Sequence, residues 1–408
     1  MKFLYRLSIL IIIAALTFYL IKFPIKTGID TIKSFENNPV RKATQTAEGD
    51  KFFRRLLDDK QKILYDEIYT SIINGEDKAV VKINDIVEND IILSMDYIMY
   101  DNPEIFWVDY LDVNYAVSNS GTEVEINNDY TGSEVENMKE KLNEVVADAL
   151  SQMKSENITD EYEKASYLHD YLVGICDYDM TGTAKNAHNA YGSLVEKTAV
   201  CDGYVHGYRL LLDAAEIESC FVVGEVAGQK GITPHAWSLV NFSGEFTFID
   251  PTWNDIESHV VSEIPQAKKI VSHAFFGLSD IEISKTHKID ESIADVLPQA
   301  KSNDWFMKNG YSAAKLDDFI ENAAEALAKR ASEGGEYTYF ELSLTDQTEF
   351  RDFVEGIGGG VSNLIDKANE FLLNKGTDIK INKEIYYFIT NAEKGTALII
   401  ISLSNGQI

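Results

Sequence analysis

The sequence predicts an α+β fold in which helices pack on antiparallel sheets. Apolar residues recur at helical spacing between Phe52 and Ile72, which is typical of an amphipathic helix. Alternating apolar runs flank turn residues at 242–244 and again at 393–395, which is typical of antiparallel hairpins. The 408 residues are 45% hydrophobic, so the chain is globular and long enough for two or three domains.

The N-terminus carries a hydrophobic segment. Residues Leu7 to Ile21 contain no charged side chain. Residues 1–23 are therefore predicted to form a hydrophobic helix that serves as a signal anchor or a signal peptide. The anchor is favoured because no small-x-small cleavage pattern follows, whereas a cleaved segment would make the protein secreted. Flanking charges do not decide the side of the membrane. Residues 24–50 are polar and aperiodic, which indicates a linker.

Residues 52–152 are predicted to form an N-terminal α+β domain. The expected elements are helices at 52–74 and 85–100, a strand at 105–110 and two strands around a turn at 118–121. Ser133 and Glu136 have the spacing of a capping box, which predicts the start of a long helix that ends near Met153.

Two further domains are expected. Residues 153–300 form the predicted central domain, which opens with a helix at 159–173 and carries the chemistry described below. Residues 311–408 form a predicted C-terminal α/β domain. Its expected elements are a first helix that uses Leu316 to Leu327, a strand at 337–344, two helices, and a hairpin that turns at 393–395.

Charge and cysteine usage narrow the class of protein. The formal net charge of −29 repels phosphate backbones, so a nucleic-acid partner is not expected. Cys176, Cys201 and Cys220 are odd in number and show no CxxC spacing. This pattern disfavours a disulfide framework or a zinc knuckle and favours a single functional thiol. No cofactor is predicted.

Cys201 is the candidate nucleophile. It directly precedes a helical pattern in which Tyr204, Tyr208 and Leu211 lie on one stripe. Unpaired N–H groups and the helix dipole favour the thiolate at a helix N-terminus, so we expect a lowered thiol pKa and a backbone oxyanion donor. The alternative is a buried structural cysteine, which is the reading that we prefer for Cys176 and Cys220.

His235 and Asp250 are the candidate base and orienting carboxylate. They lie on the two runs of the predicted hairpin. A turn centred between Phe242 and Ser243 would place them directly opposite each other, and a slip of two residues would make them diagonal neighbours. Opposed side chains are close enough for an imidazole to bond a carboxylate, which would fix the imidazole tautomer.

Two large rings lie beside this pair. Trp237 and Trp253 would exclude water from it, although they could equally belong to the core. The alternative for His235 and Asp250 themselves is a polar cross-strand pair on an exposed face of the sheet.

These motifs together resemble a known family. The pattern VCDGY, HAW and IDPTWND is similar to the transglutaminase-like superfamily, which is papain-like in architecture. The resemblance implies that Cys201, His235 and Asp250 are nucleophile, base and orienter, and that a central domain carries the cysteine helix on an antiparallel sheet. Three flanking segments resemble the bacterial exported branch, which implies an extracytoplasmic body: DNPEIFWV at 101–108, YLHDYLVGICDYD at 167–179 and FFGLSD at 275–280.

Two departures from the family pattern concern substrate binding. Asp202 follows the nucleophile where many relatives have glutamine, and its carboxylate opposes thiolate formation. The papain-type glutamine upstream of the cysteine is replaced by Val195, which leaves Tyr191 as a candidate side-chain oxyanion donor, with simple packing as its alternative.

The remaining histidines lack the spacing of a metal site. His169 and His206 are expected to pack in helices, with His188 near them in sequence. No metal-ligand spacing relates His259, His273 and His287, so these are expected to be structural or at the surface, and no metal is predicted.

The predicted function is thiol-dependent acyl transfer or hydrolysis on peptide or protein amides at the cell surface. A membrane tether would place the site beside envelope polymers, so protein or cell-wall peptide is the expected partner, together with the membrane itself. A catalytically weak or inactive envelope-binding module with the same fold is the alternative, and a tethered structural scaffold is a third possibility.

Overall fold

The computed structural model describes residues 51–83, 85–110, 113–118, 121–128, 130–228, 231–256, 269–356 and 359–405. The predicted anchor at 1–23 and linker at 24–50 lie outside these residues. Within the part of the chain that is described, no helix is long and apolar enough to span a lipid bilayer. The mixture of helices and antiparallel sheets confirms the predicted α+β class.

The N-terminal region begins with helices that pack on one another. The helix predicted over 52–74 is broken in two, because Leu57 adopts an extended conformation. The second piece begins with a capping box between Asp58 and Gln61 and ends at Gly75, whose φ of 69° is left-handed. The helices are α1 (Phe52–Leu56), α2 (Asp59–Asn74) and α3 (Glu88–Asp101).

Two sequence expectations for this region are wrong. Residues 105–110 form no strand, because this segment fills the core as irregular chain, with Phe106 and Trp107 buried. The long helix begins two residues earlier than expected, since Thr131 and Glu134 form the capping box in place of Ser133 and Glu136. The elements are β1 (Lys78–Val81), β2 (Tyr115–Ser118), β3 (Gly121–Glu125) and α4 (Gly132–Ser155), and the sheet order is β1-β3-β2.

The central region places a helix against an antiparallel sheet of five strands. Its helical and short elements are α5 (Glu161–Ile175), β4 (Asp177–Tyr178), a π-helical turn (Gly192–Glu196), β5 (Thr198–Ala199) and α6 (Cys201–Ala214). The sheet consists of β6 (Ser219–Gly228), β7 (Gly231–Phe242), β8 (Glu245–Ile249), β9 (Phe276–Leu278) and β10 (His287–Ile289), in the order β10-β6-β7-β8-β9.

The C-terminal region follows after short helices. They are α7 (Asp280–Ile283), α8 (Glu291–Ala294) and α9 (Trp305–Lys308). The next elements are β11 (Ser312–Ala313), a 3-10 turn (Leu316–Asp318), α10 (Ile320–Ala331), β12 (Tyr337–Leu344), α11 (Gln347–Val354), α12 (Gly360–Asn374), β13 (Ile379–Asn391) and β14 (Thr396–Asn405). The sheet order is β11-β12-β14-β13, with the predicted hairpin between the last two strands.

Buried side chains form one large core and one smaller one. The larger core is formed by described residues between Phe52 and Ala300, and the smaller one lies within Leu316–Ile401. A cluster that includes Ile270, Leu398 and Ile400 connects the central region to the C-terminal sheet. The division into domains at 152/153 and 300/311 stays a prediction.

Candidate active site

The start of α6 is held firmly against its surroundings. The short parallel pair β4–β5 guides the chain toward Cys201, and the Val200 N–H donates to the Ala187 carbonyl at 3.0 Å. Gly203 permits this approach, because a Cβ there would lie 2.1 Å from the Ala187 oxygen. Cys201 is thus the first residue of the helix, as the sequence predicted, and the N–H groups of this first turn lack helical acceptors.

The three thiols differ in accessibility. Cys201 is partly exposed, whereas Cys176 and Cys220 are buried, and none of them is in a disulfide. Burial raises the pKa of both Cys176 and Cys220 to about 12. Cys201 is therefore the thiol that a substrate can reach.

His235 and Asp250 are joined by a hydrogen bond, but not across directly opposed positions. Ser243 and Gly244 occupy the turn with φ values of 53° and 94°, and β7 pairs β8 with Ser238 opposite Ile249. The turn is centred one residue later than expected, since a two-residue turn of this hand needs positive φ at both central positions. Asp250 therefore lies diagonal to His235, and its Oδ2 is 2.8 Å from His235 Nε2.

The sulfur of Cys201 lies close enough to the His235 ring to contribute to the raised pKa of this imidazole. Since Nε2 is engaged by Asp250, Nδ1 is the ring atom left for the sulfur. Burial by itself would lower the pKa of His235. The charge and hydrogen bond of Asp250, with the contribution of Cys201, outweigh burial and raise the pKa of His235 to about 10. The geometry thus favours an imidazolium beside the thiol at neutral pH.

A second imidazole shares the carboxylate of Asp250. His287, which begins β10, places Nε2 3.0 Å from Asp250 Oδ2. The other oxygen, Oδ1, accepts from the backbone N–H groups of Thr252 at 2.9 Å and Trp253 at 3.1 Å. Burial would raise the pKa of Asp250, but the two histidines overcome it and hold that pKa well below its usual range.

Sequence reasoning missed His287, which it assigned to structural or surface positions. Its side chain is fully buried beside the candidate base, with the ring centroids of His235 and His287 5.6 Å apart. Burial lowers the pKa of His287 to about 4, so this ring is neutral. No spacing pattern in the sequence pointed to His287, because it is the pairing of β10 with β6 that brings this residue to the site.

The two tryptophans line the pair. Trp237 is fully buried and lies nearly parallel to His235, at 6.0 Å between ring centroids and 21° between planes. Trp253 is partly exposed and its ring centroid is also 6.0 Å from that of His235. Both rings therefore exclude water from the imidazole, and Trp253 also reaches the surface.

Asp202 has its own partners beside the candidate nucleophile. Its Oδ2 accepts from His188 Nδ1 at 2.7 Å and from the Tyr110 hydroxyl at 3.1 Å, while Oδ1 accepts from the Gly203 N–H. The hydrogen bond to Asp202 raises the pKa of His188. A protonated His188 would offset the carboxylate charge, which reduces the expected opposition of Asp202 to a thiolate.

Tyr191, the candidate side-chain oxyanion donor, packs against another aromatic ring. Tyr191 is buried and stacks on Phe106 with ring centroids 5.2 Å apart, which fits the packing alternative. Tyr178 on β4 is close enough to Cys201 for the thiol to influence its pKa. Burial, then the charge of Cys201, raises the pKa of Tyr178 to about 12. The sequence gave no reason to select Tyr178, because the β4–β5 pairing that places it spans two residues in each strand.

A second histidine–carboxylate cluster lies on α5 and in the loop before β9. Asp170 Oδ1 accepts from His169 Nδ1 at 2.9 Å and from His273 Nε2 at 2.8 Å. His273 Nδ1 lies 3.0 Å from Glu341 on β12. His273, like His287, is thus buried and bonded, although the sequence suggested no ligand spacing.

In both histidine clusters the possible ligand atoms lie close enough together to hold a metal ion. In the second cluster, the Asn254 amide donates to His169 Nε2 at 3.0 Å, while its oxygen accepts from the Phe275 N–H. His169 Nδ1 therefore carries the proton and donates to Asp170, so it offers no lone pair to an ion. In the first cluster, hydrogen bonds to Asp250 occupy both Nε2 atoms. Hydrogen bonding accounts for the two clusters without a metal.

Comparison with known proteins finds a family match for part of the chain. A family model described as the transglutaminase-like superfamily matches residues 148–251. The match contains Cys201, His235 and Asp250, and its start and end fall within α4 and just after β8. Residues 148–251 are therefore similar to the transglutaminase-like superfamily, as the motifs suggested.

Similarity to solved structures is low. A transglutaminase (TGase) structure shares 14% identity over 36% of this chain and 46% of that chain, with a TM-score of 0.26. A candidate cysteine protease from Cytophaga hutchinsonii shares 14% over 35% and 61%, with a TM-score of 0.25. A candidate protease from Parabacteroides distasonis shares 12% over 34% and 35%, with a TM-score of 0.21. This chain thus spans less than two thirds of each of these proteins. The sequence matches none of the curated proteins.

Proposed function

We propose that this protein is a thiol-dependent acyltransferase or hydrolase that acts on amides, with Cys201 as nucleophile, His235 as acid and base, and Asp250 as orienter. The observation that carries the proposal is a partly exposed helix-start thiol close enough to influence the pKa of an imidazole that is bonded to a buried carboxylate. This arrangement activates sulfur nucleophiles in general.

In the first half of the reaction, the thiolate of Cys201 attacks the carbonyl carbon of a carboxamide or peptide. The carbon–nitrogen bond of the resulting tetrahedral intermediate breaks, and the His235 imidazolium gives its proton to the departing nitrogen. Ammonia or an amine leaves, and a thioester remains on Cys201 beside a neutral His235. The raised pKa of His235 supports its role as this acid.

In the second half, an amine or a water molecule attacks the thioester carbonyl, and His235 takes its proton. The carbon–sulfur bond breaks and restores the thiolate–imidazolium pair. An amine gives a crosslinked product, and water gives a deamidated or cleaved product. Asp250 keeps the ring oriented and stabilises its positive charge throughout.

The substrate that we propose is a protein or peptide amide at the cell surface, with cell-wall peptide as one form of it. The support for this location is the hydrophobic segment Leu7–Ile21 in the sequence, which would tether the body to a membrane on its extracytoplasmic side or direct its secretion. The acidic charge of −29 favours partners with basic, lysine-bearing surfaces.

A non-enzymatic binding module of the cell envelope is the second candidate. The observation that favours it is Asp202, whose carboxylate lies next to the nucleophile in sequence and opposes a thiolate whenever His188 is neutral. This candidate predicts a Cys201 thiol of ordinary reactivity and binding of peptide or wall polymer without turnover.

Iodoacetamide labelling across pH separates the two candidates. We expect Cys201 to be labelled at neutral pH far faster than the buried Cys176 and Cys220, which serve as internal controls and are resolved by mass spectrometry of peptides. His235→Ala should slow the labelling of Cys201 alone. Slow labelling of Cys201 that does not respond to His235→Ala would reject the enzyme and favour the binding module.

Turnover is then measured with a glutamine-rich protein and a fluorescent amine. Incorporation of the amine indicates crosslinking, release of ammonia without incorporation indicates deamidation, and new termini indicate proteolysis. Cys201→Ala should abolish whichever activity is found while the thermal unfolding midpoint stays close to that of the wild type. Turnover at the wild-type level in Cys201→Ala would rule out Cys201 as nucleophile.

A further inference from the structure

The neutral ring of His287 is built into the hydrogen-bond system of the candidate base. Its Nε2 and that of His235 approach the same oxygen of Asp250, at 3.0 and 2.8 Å. Because an ionised carboxylate only accepts hydrogen bonds, both Nε2 atoms must carry a proton. A neutral His287 therefore has its lone pair on Nδ1.

Thr286 selects this tautomer. Its hydroxyl oxygen is 2.8 Å from His287 Nδ1 and 3.4 Å from the Ile283 carbonyl, so the single hydroxyl proton is best placed to donate to the ring. The chain of donors then runs from the Thr286 hydroxyl through His287 to Asp250, where His235 donates from the other side.

The fold holds the His287 ring in one place. Its strand β10 pairs with β6, and a Cβ on Gly224 of β6 would lie 2.1 Å from the Lys288 carbonyl, so only glycine allows this approach. Aromatic rings close around His287, with centroid distances of 4.8 Å to Trp237 and 4.6 Å to Trp253. The titratable groups that act on His287 are Asp250 and His235.

We propose that His287 is a positioning residue of the active site, which fixes the orientation of the Asp250 carboxylate and limits the basicity of His235. The catalytic use of this arrangement rests on the proposed acyl-transfer function, whereas the hydrogen-bond relation does not. His287 does not touch the thiol or a substrate carbonyl, and it acts through Asp250.

The direction of the effect follows from charge. A neutral N–H donor spreads part of the negative charge of Asp250 and makes this carboxylate a weaker partner for the His235 imidazolium. Removal of the donor concentrates the charge on the bond to His235, and the pKa of His235 should rise. A very basic His235 would give up its proton slowly to the departing amine.

The test compares His287→Phe, which removes the donor, with His287→Gln, whose amide can donate from a similar position. Full-length protein is labelled with ¹⁵N-histidine, and the ring N–H protons are followed by NMR at neutral pH. In His287→Phe the His235 Nε2–H signal should move further downfield, because its hydrogen bond to Asp250 strengthens. In His287→Gln it should lie closer to the wild-type position.

A second pair of variants keeps the His287 ring in place. Thr286→Val should disturb the ring signals of His287 by removing its tautomer partner. Thr338→Val is the matched control, since the hydroxyl of this buried threonine has no hydrogen-bond partner in the described part of the chain. An unmoved His235 signal in His287→Phe, or equal effects of Thr286→Val and Thr338→Val, would overturn the proposal.

Reactivity provides the link to catalysis. In His287→Phe we expect the alkaline limb of the pH–rate profile to move upward by about one pH unit and turnover to fall about tenfold, the size of one hydrogen bond to a charged group. His287→Gln should recover most of both. If wild-type Cys201 labels no faster than Cys176 while the His235 signal still shifts as expected, the proposed function fails and the role of His287 toward Asp250 stands.

Discussion

Asp250 illustrates how tightly one side chain can be constrained. A carboxylate offers about four acceptor positions, and Asp250 fills them with two imidazole N–H donors and the backbone N–H groups of Thr252 and Trp253. The side chain is fully buried, so water does not compete for these positions. The carboxylate is therefore fixed in both charge and orientation.

Replacing Asp250 by Asn should impair catalysis far more than folding. The amide would turn a donor toward one of the two imidazoles and favour the wrong tautomer of His235. We expect kcat/KM to fall by up to about four decades, as for the comparable change in serine proteases. Steady-state kinetics measures this loss, and Asp366→Asn at an exposed position of α12 serves as a control that should leave kcat/KM near the wild-type value.

His235 should give the folded protein a distinct pH dependence. Its pKa is raised from the ordinary 6.5 to about 10, so the folded state binds a proton that the unfolded state releases. The stabilising contribution is complete below pH 6.5 and is lost as the pH rises through about 10.

The corresponding measurement is the free energy of unfolding in urea at several pH values. Between these two pH values the wild type should lose stability relative to His235→Gln, which lacks the titrating ring. Parallel curves for the two proteins would contradict the raised pKa. The stabilising contribution of Asp250 has the opposite pH dependence. Because its pKa is lowered in the folded state, this contribution is complete above about pH 3.8, the ordinary pKa, and is lost in acid.

At the scale of elements, the docking of α6 depends on Gly203. A methyl group at this position would meet the Ala187 carbonyl at 2.1 Å and the Ala199 side chain at 2.8 Å. Since these neighbours belong to the segment that leads into Cys201, Gly203→Ala should push the helix start away from Ala187 and Ala199. We expect a loss of about 1–3 kcal/mol in the free energy of unfolding and a slower alkylation of Cys201.

Gly174 supplies the matched control for this change. It is also a helical glycine, but it is exposed on α5 and has nothing within 4 Å of an added Cβ. Gly174→Ala should raise the free energy of unfolding by up to about 1 kcal/mol through helix propensity and leave alkylation unchanged. Equal effects of the two substitutions would show that close packing at Gly203 is unimportant.

Local patterns predicted most of the elements that bear the site. The helix that begins at Cys201 and the hairpin of β7 and β8 follow from periodicity and turn residues, and both are present. The turn of the hairpin is centred one residue later than expected, because Ser243 adopts a positive φ, which is uncommon for a residue other than glycine. The place of His287 in the site could not be predicted from the sequence. This residue lies 37 positions after Asp250 and reaches it only because β10 pairs with β6.

At the scale of the whole molecule, a buried carboxylate links the C-terminal sheet to the central region. Glu341 on β12 accepts from both the backbone N–H and Nδ1 of His273, each at 3.0 Å. Burial opposes the charge on His273, but Asp170 and Glu341 prevail and raise the pKa of His273 to about 9. The two regions are thus joined by charge as well as by apolar contact.

Glu341→Ala should therefore destabilise the protein strongly. The substitution leaves the backbone N–H and Nδ1 of His273 without their acceptor, while Asp170 still pairs with the ring, and we expect a loss of about 1–3 kcal/mol in the free energy of unfolding by urea for each buried donor left unsatisfied. Asp366→Ala removes a carboxylate from an exposed pair with Lys383 in the same region and should have little effect. A small loss in Glu341→Ala, similar to that in Asp366→Ala, would mean that the link is dispensable.

The position of β10 sets a practical limit on how short an expressed fragment of this protein can be. The segment that carries the family signature stops at residue 251, one residue beyond Asp250. A fragment cut there would keep the cysteine, the imidazole and the carboxylate, but it would lose two strands of the five-stranded sheet and the ring that shares the carboxylate. Truncation series should therefore retain at least the residues through Ala300, where the larger core ends.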